Sequence, residues 1–244
     1  PENKETAPGL LLPLLWIAQR NPVATVAVFP ADHFIWEEDR FEAHMRAAVS
    51  AAARLRRRLI LLGVEADAPE TGYGWIAPGD PVQTPSGAEL YLVRRFWEKP
   101  DRSTAAHLLA RGYFWNTFIL VAGVDTFLAL VRAAVPDVFR PLRAIASCLG
   151  TPAEPAALAL AYHLFHATNL SQALLARHPE ALMVQVARGI SWCDWGDPGR
   201  ILRSLRRFDR QPVWLPAYAR ACAAGAGCSS TPEPGRKGMQ YATV

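Results

Sequence analysis

Short runs of apolar and β-branched residues recur along the chain, and glycine, proline or other turn-forming residues bound each run. Runs of this kind are typical of buried β-strands. The pattern predicts strands at 23–29, 59–64, 73–77, 89–96, 118–122 and 182–186.

Between these runs, apolar residues recur with helical periodicity. The predicted helices are 6–19, 37–57, 103–111, 125–134, 155–166 and 197–205. Strands that alternate with helices are typical of an α/β fold. We therefore expect a mainly parallel sheet with helices on both faces.

The length of 244 residues fits one large domain or two small ones. We expect one domain over 1–220. From 221 to 244 the chain is rich in Ala, Gly, Ser and Pro and has no periodicity. Such a segment cannot bury enough apolar surface to offset its ordering entropy, so we predict a disordered tail.

The formal net charge of +4 does not indicate a nucleic-acid partner, because the basic residues are scattered apart from one short run at 54–58. Charges or prolines interrupt the apolar runs well short of the ~20 residues of a membrane span. The four cysteines include no CxxC pair, which indicates neither a zinc site nor a disulfide framework. These features predict a cytoplasmic protein.

Two aspartates follow predicted strands. Asp32 stands in Pro-Ala-Asp-His after the strand at 23–29, and Asp194 stands in Trp-Cys-Asp-Trp-Gly after the strand at 182–186. Ligands of open α/β sheets bind at the carboxyl ends of strands. Two such carboxylates could share one Mg²⁺, although an Asp after a strand is also a common turn or cap residue. Asp197 is the competing cap of the next helix, which would leave Asp194 for a metal.

Further polar residues adjoin other strand ends. Glu98 and Lys99 stand in Phe-Trp-Glu-Lys-Pro, where an ammonium could neutralise phosphate and a carboxylate could accept hydrogen bonds from sugar hydroxyls. The alternative is a surface ion pair of little consequence. Gly74, in Thr-Gly-Tyr-Gly-Trp-Ile, permits a close backbone approach, and Asn116 offers amide donors and an acceptor.

Taken in order, these motifs resemble the mannose-1-phosphate guanylyltransferases and their sugar-1-phosphate nucleotidyltransferase relatives. The resemblance covers about residues 2–205. It rests on Thr6-Ala7-Pro8, Pro30-Ala31-Asp32-His33, Thr71-Gly72-Tyr73-Gly74-Trp75-Ile76, Phe96-Trp97-Glu98-Lys99-Pro100, Trp115-Asn116 and Trp192-Cys193-Asp194-Trp195-Gly196.

The resemblance implies a Rossmann-like α/β domain that joins a sugar 1-phosphate to a nucleoside triphosphate and releases pyrophosphate. Mannose 1-phosphate and GTP are the implied substrates, and Mg²⁺ is the implied cofactor. By resemblance, Asp32 and Asp194 are metal ligands with a catalytic role, and Lys99 is a catalytic contact to the sugar phosphate. The implied substrate-binding positions are Gly74, Glu98 and Asn116 for the sugar and Thr6 and Ala7 near the base.

The family pattern opens with a strand and a Gly-rich loop that holds the triphosphate, ahead of the position of Thr6. The sequence starts at Pro1, so we expect a domain without that first strand and loop. Oriented donors of this kind each contribute on the order of a hundredfold to a thousandfold in rate. We therefore expect poor activity from this chain, and an active enzyme from the complete gene product.

Two alternatives remain open at this point. One is a thymidylyl- or uridylyltransferase that acts on glucose 1-phosphate. The other is a non-catalytic regulatory paralogue that binds a sugar nucleotide. A homo-oligomer is compatible with the sequence, which does not specify it.

Overall fold

The computed structural model describes residues 3–85 and 87–223, which form two compact units. Unit 1 contains the described residues of Pro1–Ala31 and Ile35–Trp192, and unit 2 contains those of Asp32–Phe34 and Cys193–Val244. The sequence pattern treated 1–220 as one domain. In the structure, the residues around Asp32 and those after Trp192 form a unit of their own.

The strands are β1 (Thr25–Val28), β2 (Phe34–Ile35), β3 (Leu59–Glu65), β4 (Gly74–Val82), β5 (Leu90–Glu98), β6 (Phe114–Gly123), β7 (Leu182–Val186) and β8 (Trp192–Cys193). The helices are α1 (Thr6–Arg20), α2 (Glu38–Arg54), α3 (Arg102–Ala110), α4 (Val124–Ala134), α5 (Pro136–Ala144), α6 (Glu154–Leu164), α7 (Pro198–Arg207) and α8 (Leu215–Ala223). Short helical turns lie at Ala146–Cys148, Ser171–Leu175 and Pro179–Ala181.

The main sheet has the strand order β1-β6-β3-β7-β5-β4, and β4 also pairs with β6. The predicted α/β class is confirmed, but the sheet is mixed rather than mainly parallel, because among its described strands only β3 and β7 pair in parallel. Strand β6 is antiparallel to β1, β3 and β4, and β5 is antiparallel to β4 and β7. For the neighbours β4 and β5 the physical reason is that no helix separates them along the chain, whereas parallel neighbours need a long crossover.

Helices cover both faces of this sheet, as predicted. Along β3 the side chains alternate between two hydrophobic clusters, with Leu59 and Leu61 in one and Ile60 and Leu62 in the other. The first cluster includes apolar residues of α1, α4 and α5, and the second includes apolar residues of α2 and α3. A strand buried on both faces explains why this run is apolar throughout instead of alternating.

Most of the predicted strands and helices agree with the structure to within a few residues, but β4 continues five residues beyond its predicted end at 77, and helices α5 and α8 were not predicted. The start of β6 also differs. It begins at Phe114, four residues before the predicted start at 118. The polar Thr117 does not end the strand, because its hydroxyl donates to the carbonyl of Leu62 at 2.7 Å and accepts from Ile119 N at 3.2 Å. A buried hydroxyl with such partners is tolerated inside a sheet.

Unit 2 has a small aromatic centre. Phe34 stacks on Trp195 with ring centroids 4.6 Å apart and packs against Phe208 at 5.5 Å. Helix α8 ends at Ala223, so it includes the first three residues of the predicted tail. The rest of that prediction, 224–244, lies outside the described residues.

Two further findings concern the environment of the chain. None of the helices within 3–85 and 87–223 has the length and apolar character needed to cross a membrane. Cys148 and Cys193 form no disulfide within the described residues.

Candidate functional site

Three predicted sugar-binding residues of unit 1 lie side by side on neighbouring strands. Gly74 of β4 is the register partner of Glu98 on β5 and of Asn116 on β6. A Cβ atom built on Gly74 would lie 3.3 Å from Glu98 Oε2 and 3.3 Å from Asn116 Cβ. The side chains of Glu98 and Asn116 therefore flank the Gly74 backbone on one face of the sheet.

Gly74 is required by close packing. The same built Cβ would lie 2.7 Å from Phe96 Cζ, and Phe96 is buried. The sequence interpretation attributed this glycine to the approach of a ligand. In the structure it is the ring of Phe96 that approaches the backbone.

Glu98, the last residue of β5, and Lys99, which follows it, have different environments. Burial raises the pKa of the Glu98 carboxyl, and the Lys99 ammonium and a hydrogen bond from Ser171 oppose that rise. Lys99 is exposed and has a positive φ of 47°, and its backbone N–H donates to Tyr73 O at 3.2 Å. The backbone turn at Lys99 thus leaves its ammonium in solvent, beside a partly desolvated carboxylate.

Asn116 is 6% exposed, and its Oδ1 accepts a hydrogen bond from Phe118 N at 3.2 Å. Phe118 itself has a positive φ of 57°. The amide oxygen therefore supports a local turn within β6. Its NH₂ group is the part of the side chain that can donate to a hydroxyl.

Thr6 and Ala7, predicted near a base, make contacts that support the fold. The Thr6 hydroxyl accepts from Leu170 N at 2.8 Å, and Ala7 is fully buried with its N–H donating to Thr168 O at 3.0 Å. The N-cap residue of α1 is Glu5, which makes no side-chain cap, and Thr6 is the first residue of the helix. The start of α1 thus holds a distant part of unit 1 in place.

The two predicted metal ligands both belong to unit 2 and share a neighbour. Burial lowers the pKa of His33, while the carboxylates of Asp32 and Asp194 oppose that shift by favouring the charged ring. His33 Nε2 lies 3.9 Å from Asp32 Oδ1, and the Asp32 side chain is 63% exposed. Both carboxylates thus favour the charged form of the same imidazole.

The Asp194 carboxylate has protein partners that the sequence interpretation did not include. Its Oδ2 accepts from Arg200 Nη1 at 2.5 Å, and its Oδ1 accepts from Gly196 N at 3.3 Å. The predicted competitor Asp197 does cap α7, with Arg200 N donating to its Oδ1 at 3.0 Å. Arg200 also pairs through Nε with Asp197 Oδ2 at 3.3 Å, so one guanidinium contacts both aspartates.

The oxygen donors near His33 can be compared with the needs of a hard divalent cation. No group of three or more His, Cys, Asp or Glu side chains in the described ranges forms a potential metal site. Mg²⁺ needs fewer protein ligands than that, because it binds through one or two carboxylates and keeps waters and substrate phosphates as its other ligands. Asp32 and Asp194 fit that donor set, with the Arg200 cation as the competitor at Asp194.

Sequence reasoning missed two residues that act on the predicted ones. Arg200 could have been found, because it stands three residues after the cap Asp197 and six after Asp194. Ser171, the partner of Glu98, gave no such signal, since it follows Glu98 only after α3, β6 and α4 to α6.

Comparisons with known proteins give the family. The model of the nucleotidyl transferase family matches residues 1–133. The xanthan biosynthesis protein XanB of Xanthomonas campestris pv. campestris (strain B100) is 34% identical over 139 residues, which are 57% of this chain and 28% of that protein. A mannose-1-phosphate guanylyltransferase of Escherichia coli is 34% identical over 145 residues, 59% of this chain and 30% of that protein. The matched region is thus less than a third of the length of these relatives.

Solved structures show the same fold. A structure described as mannose-1-phosphate geranyltransferase from Thermus thermophilus superposes with a TM-score of 0.70 at 24% identity, over 87% of this chain and 57% of that one. The structure described as mannose-6-phosphate isomerase from Helicobacter pylori gives a TM-score of 0.61 at 20% identity, over 79% of this chain and 71% of that one. Because the family model matches more than half of the residues of this chain, the chain belongs to the nucleotidyl transferase family.

Proposed function

We propose that the protein joins a sugar 1-phosphate, most specifically mannose 1-phosphate, to GTP and releases pyrophosphate. The observation that carries the proposal is the side-by-side placement of Gly74, Glu98 and Asn116 on three strands. A carboxylate and an amide on one face offer acceptors and donors suited to the hydroxyls of a sugar. The E. coli relative named mannose-1-phosphate guanylyltransferase supports the choice of sugar and nucleotide.

In unit 1, Glu98 accepts hydrogen bonds from sugar hydroxyls, and Asn116 donates to one. Glu98 must be ionised to act only as an acceptor, and the neighbouring Lys99 favours that state. Lys99 is also the cation for the sugar phosphate, because its exposed ammonium can approach a dianion at little desolvation cost. Thr6 and Ala7 act on the base through the position of α1, since their own polar atoms bond to residues 168–170.

In unit 2, Asp32 and Asp194 hold a divalent cation, which we propose to be Mg²⁺. When bound, the cation neutralises phosphate charge. The exposed carboxylate of Asp32 can bind the cation with little competition from protein groups. The Asp194 carboxylate already forms a salt bridge with Arg200. The ring of His33 is mostly buried, and its role in this proposal is to orient the turn after Asp32.

The chemistry needs no protein nucleophile. An oxygen of the sugar phosphate forms a bond to the α-phosphorus of the nucleotide, and the bond from that phosphorus to the bridging oxygen breaks to release pyrophosphate. Such transfers depend mainly on alignment and charge neutralisation. We accordingly give no serine or cysteine a covalent role, and we place the reaction in the cytoplasm.

The test of the proposal measures binding and turnover separately. Isothermal titration calorimetry with mannose 1-phosphate and glucose 1-phosphate should show tighter binding of the mannose compound, and Glu98→Ala should abolish it. Pyrophosphate release should be highest with GTP among GTP, UTP and dTTP. Tighter binding of glucose 1-phosphate together with release from UTP or dTTP would reject the guanylyltransferase assignment.

The metal assignment has its own experiment. Mn²⁺, a spectroscopic substitute for Mg²⁺, should bind to the protein in electron paramagnetic resonance titrations, and Asp194→Asn should weaken this binding at least about tenfold. Asp209→Asn makes the same change at an exposed position of unit 2 and should leave Mn²⁺ binding intact. Equal Mn²⁺ affinity in the two variants would remove Asp194 from the site.

A further inference from the structure

The ion pair between Asp194 and Arg200 is largely withdrawn from solvent. Arg200 Nη1 donates to Asp194 Oδ2 at 2.5 Å, and the two side chains are only 13% and 22% exposed. Gly196 N donates to the other carboxylate oxygen, Oδ1, at 3.3 Å. Opposite charges attract more strongly where little water surrounds them. The negative charge of Asp194 is therefore already balanced by a cation of the protein itself.

Arg200 has a second carboxylate partner. Its Nε lies 3.3 Å from Asp197 Oδ2, and its backbone N–H donates to Asp197 Oδ1 at 3.0 Å, where Asp197 caps helix α7. The contacts with Asp194 and Asp197 use different nitrogen atoms of the guanidinium. Arg200 can therefore lose its contact with Asp194 and still be held at the start of α7 by Asp197.

We propose that Arg200 is a positioning residue that balances the charge of Asp194 until a divalent cation replaces it at Oδ2, while Asp197 keeps the guanidinium beside the site. The proposal rests on the metal-binding role proposed for Asp194. A divalent cation on Oδ2 would be repelled by a guanidinium bonded to the same oxygen. Cation binding therefore costs one charge-assisted hydrogen bond, which lowers the affinity of the site.

A purely structural role for Arg200 predicts the opposite effect on cation affinity. If Arg200 only held the Asp194 carboxylate in place, its removal would loosen that carboxylate and weaken cation binding. If Arg200 is the counter-ion that a cation must replace, its removal leaves the charge of Asp194 unbalanced and strengthens cation binding. The direction of the change in affinity thus separates the two roles.

The direct test is an electron paramagnetic resonance titration with Mn²⁺ alone. Arg200→Gln should bind Mn²⁺ about tenfold more tightly than the wild-type protein, because the cation no longer displaces a hydrogen bond between charged groups. Arg206→Gln removes an equal charge from an exposed position of α7 and should change the affinity little. Unchanged or weaker Mn²⁺ binding in Arg200→Gln overturns the proposal.

A second titration repeats the change in the Asp194→Asn background. There Arg200→Gln should give no further gain in Mn²⁺ affinity, because the carboxylate for which the guanidinium competes is absent. A gain of equal size in both backgrounds would show that Arg200 acts on another ligand, and it would overturn the proposal.

The single variant Asp194→Asn separates this proposal from the proposed function. If Asp194→Asn binds Mn²⁺ as the wild-type protein does, the metal-binding role of Asp194 fails, and the role of Arg200 fails with it. If Asp194→Asn weakens Mn²⁺ binding and Arg200→Gln does not strengthen it, only the role of Arg200 fails.

Arg200→Lys decides the proposal if Arg200→Gln does not fold. Lysine keeps the positive charge but has a single ammonium, so it cannot contact two carboxylates through two separate nitrogen atoms. This variant should bind Mn²⁺ more tightly than the wild-type protein. Equal or weaker binding in Arg200→Lys would then overturn the proposal.

Discussion

Gly74 and Asn116 face each other across β4 and β6, so closely that a Cβ on the glycine would lie 3.3 Å from that of the asparagine. Glu98 flanks the same glycine from β5. The backbone between the two polar side chains therefore has no room for a side chain of its own.

Gly74→Ala should destabilise the protein by about 1–3 kcal/mol, because the added methyl meets the buried ring of Phe96 at 2.7 Å. The free energy of unfolding from urea denaturation measures the effect. Gly9→Ala is the matched control, since its built Cβ meets no described atom within 4 Å and its site is helical. There the same methyl should stabilise by about 0.5–1 kcal/mol. Equal effects of the two changes would contradict the close packing at Gly74.

Glu98→Gln should raise the thermal unfolding midpoint at pH 7 while it weakens sugar-phosphate binding. Burial holds the pKa of folded Glu98 above its ordinary value of 4.5. Between that value and the raised pKa, the folded state therefore binds more protons than the unfolded state. Stability from this group is therefore present at low pH and is lost as pH rises through the raised pKa. A neutral glutamine avoids the loss.

The pH dependence provides the control for this prediction. Differential scanning calorimetry should show a higher unfolding midpoint for Glu98→Gln than for the wild-type protein at pH 7. The difference should be much smaller below pH 4.5, where glutamate is protonated in both the folded and the unfolded state. Glu42→Gln changes an exposed carboxylate that pairs with Arg46 and should not raise the midpoint. A Glu98→Gln advantage that does not change with pH would show that charge burial is not its cause.

The sequence could predict which residues end the strands but not how the strands meet. Hydrophobic runs give the extent of β3, β5 and β7, yet they carry no information on strand direction, so the mixed sheet was missed. The β4–β5 and β3–β6 pairings also contain register irregularities, at Ala77/Pro78 and at Leu61/Gly63. These follow from tertiary packing, which a pattern of apolar residues does not encode.

The candidate sites also contain residues that the sequence predicted and residues that it did not. Family motifs predicted Glu98 and Asp194, because these residues stand in local patterns at strand ends. Arg200, which pairs with Asp194, belongs to no such pattern. The bond from Leu170 N to the Thr6 hydroxyl likewise joins distant parts of the chain, which local motifs do not predict.

Thr6→Val should destabilise the protein by about 1–2 kcal/mol, because it leaves the buried N–H of Leu170 without its acceptor at 2.8 Å. Thr6→Ser keeps the hydroxyl oxygen and should retain most of the stability. Urea denaturation of the two variants measures the difference. If Thr6 served only as a contact to the base, valine and serine would unfold alike and differ only in nucleotide binding.

Arg200→Gln should destabilise unit 2 by about 2 kcal/mol, because it removes the guanidinium that contacts both Asp194 and Asp197. The side chains of Arg200 and Asp194 are only 13% and 22% exposed, so water replaces the lost partner poorly. Fluorescence of Trp195, stacked on Phe34, reports unfolding of this unit in guanidinium chloride when it is compared with a Trp195→Phe background. Arg206→Gln makes the same change at an exposed position of α7 and should cost less than about 0.5 kcal/mol. A loss of equal size in both variants would mean that net charge, and not the Asp194 contact, determines the stability of the unit.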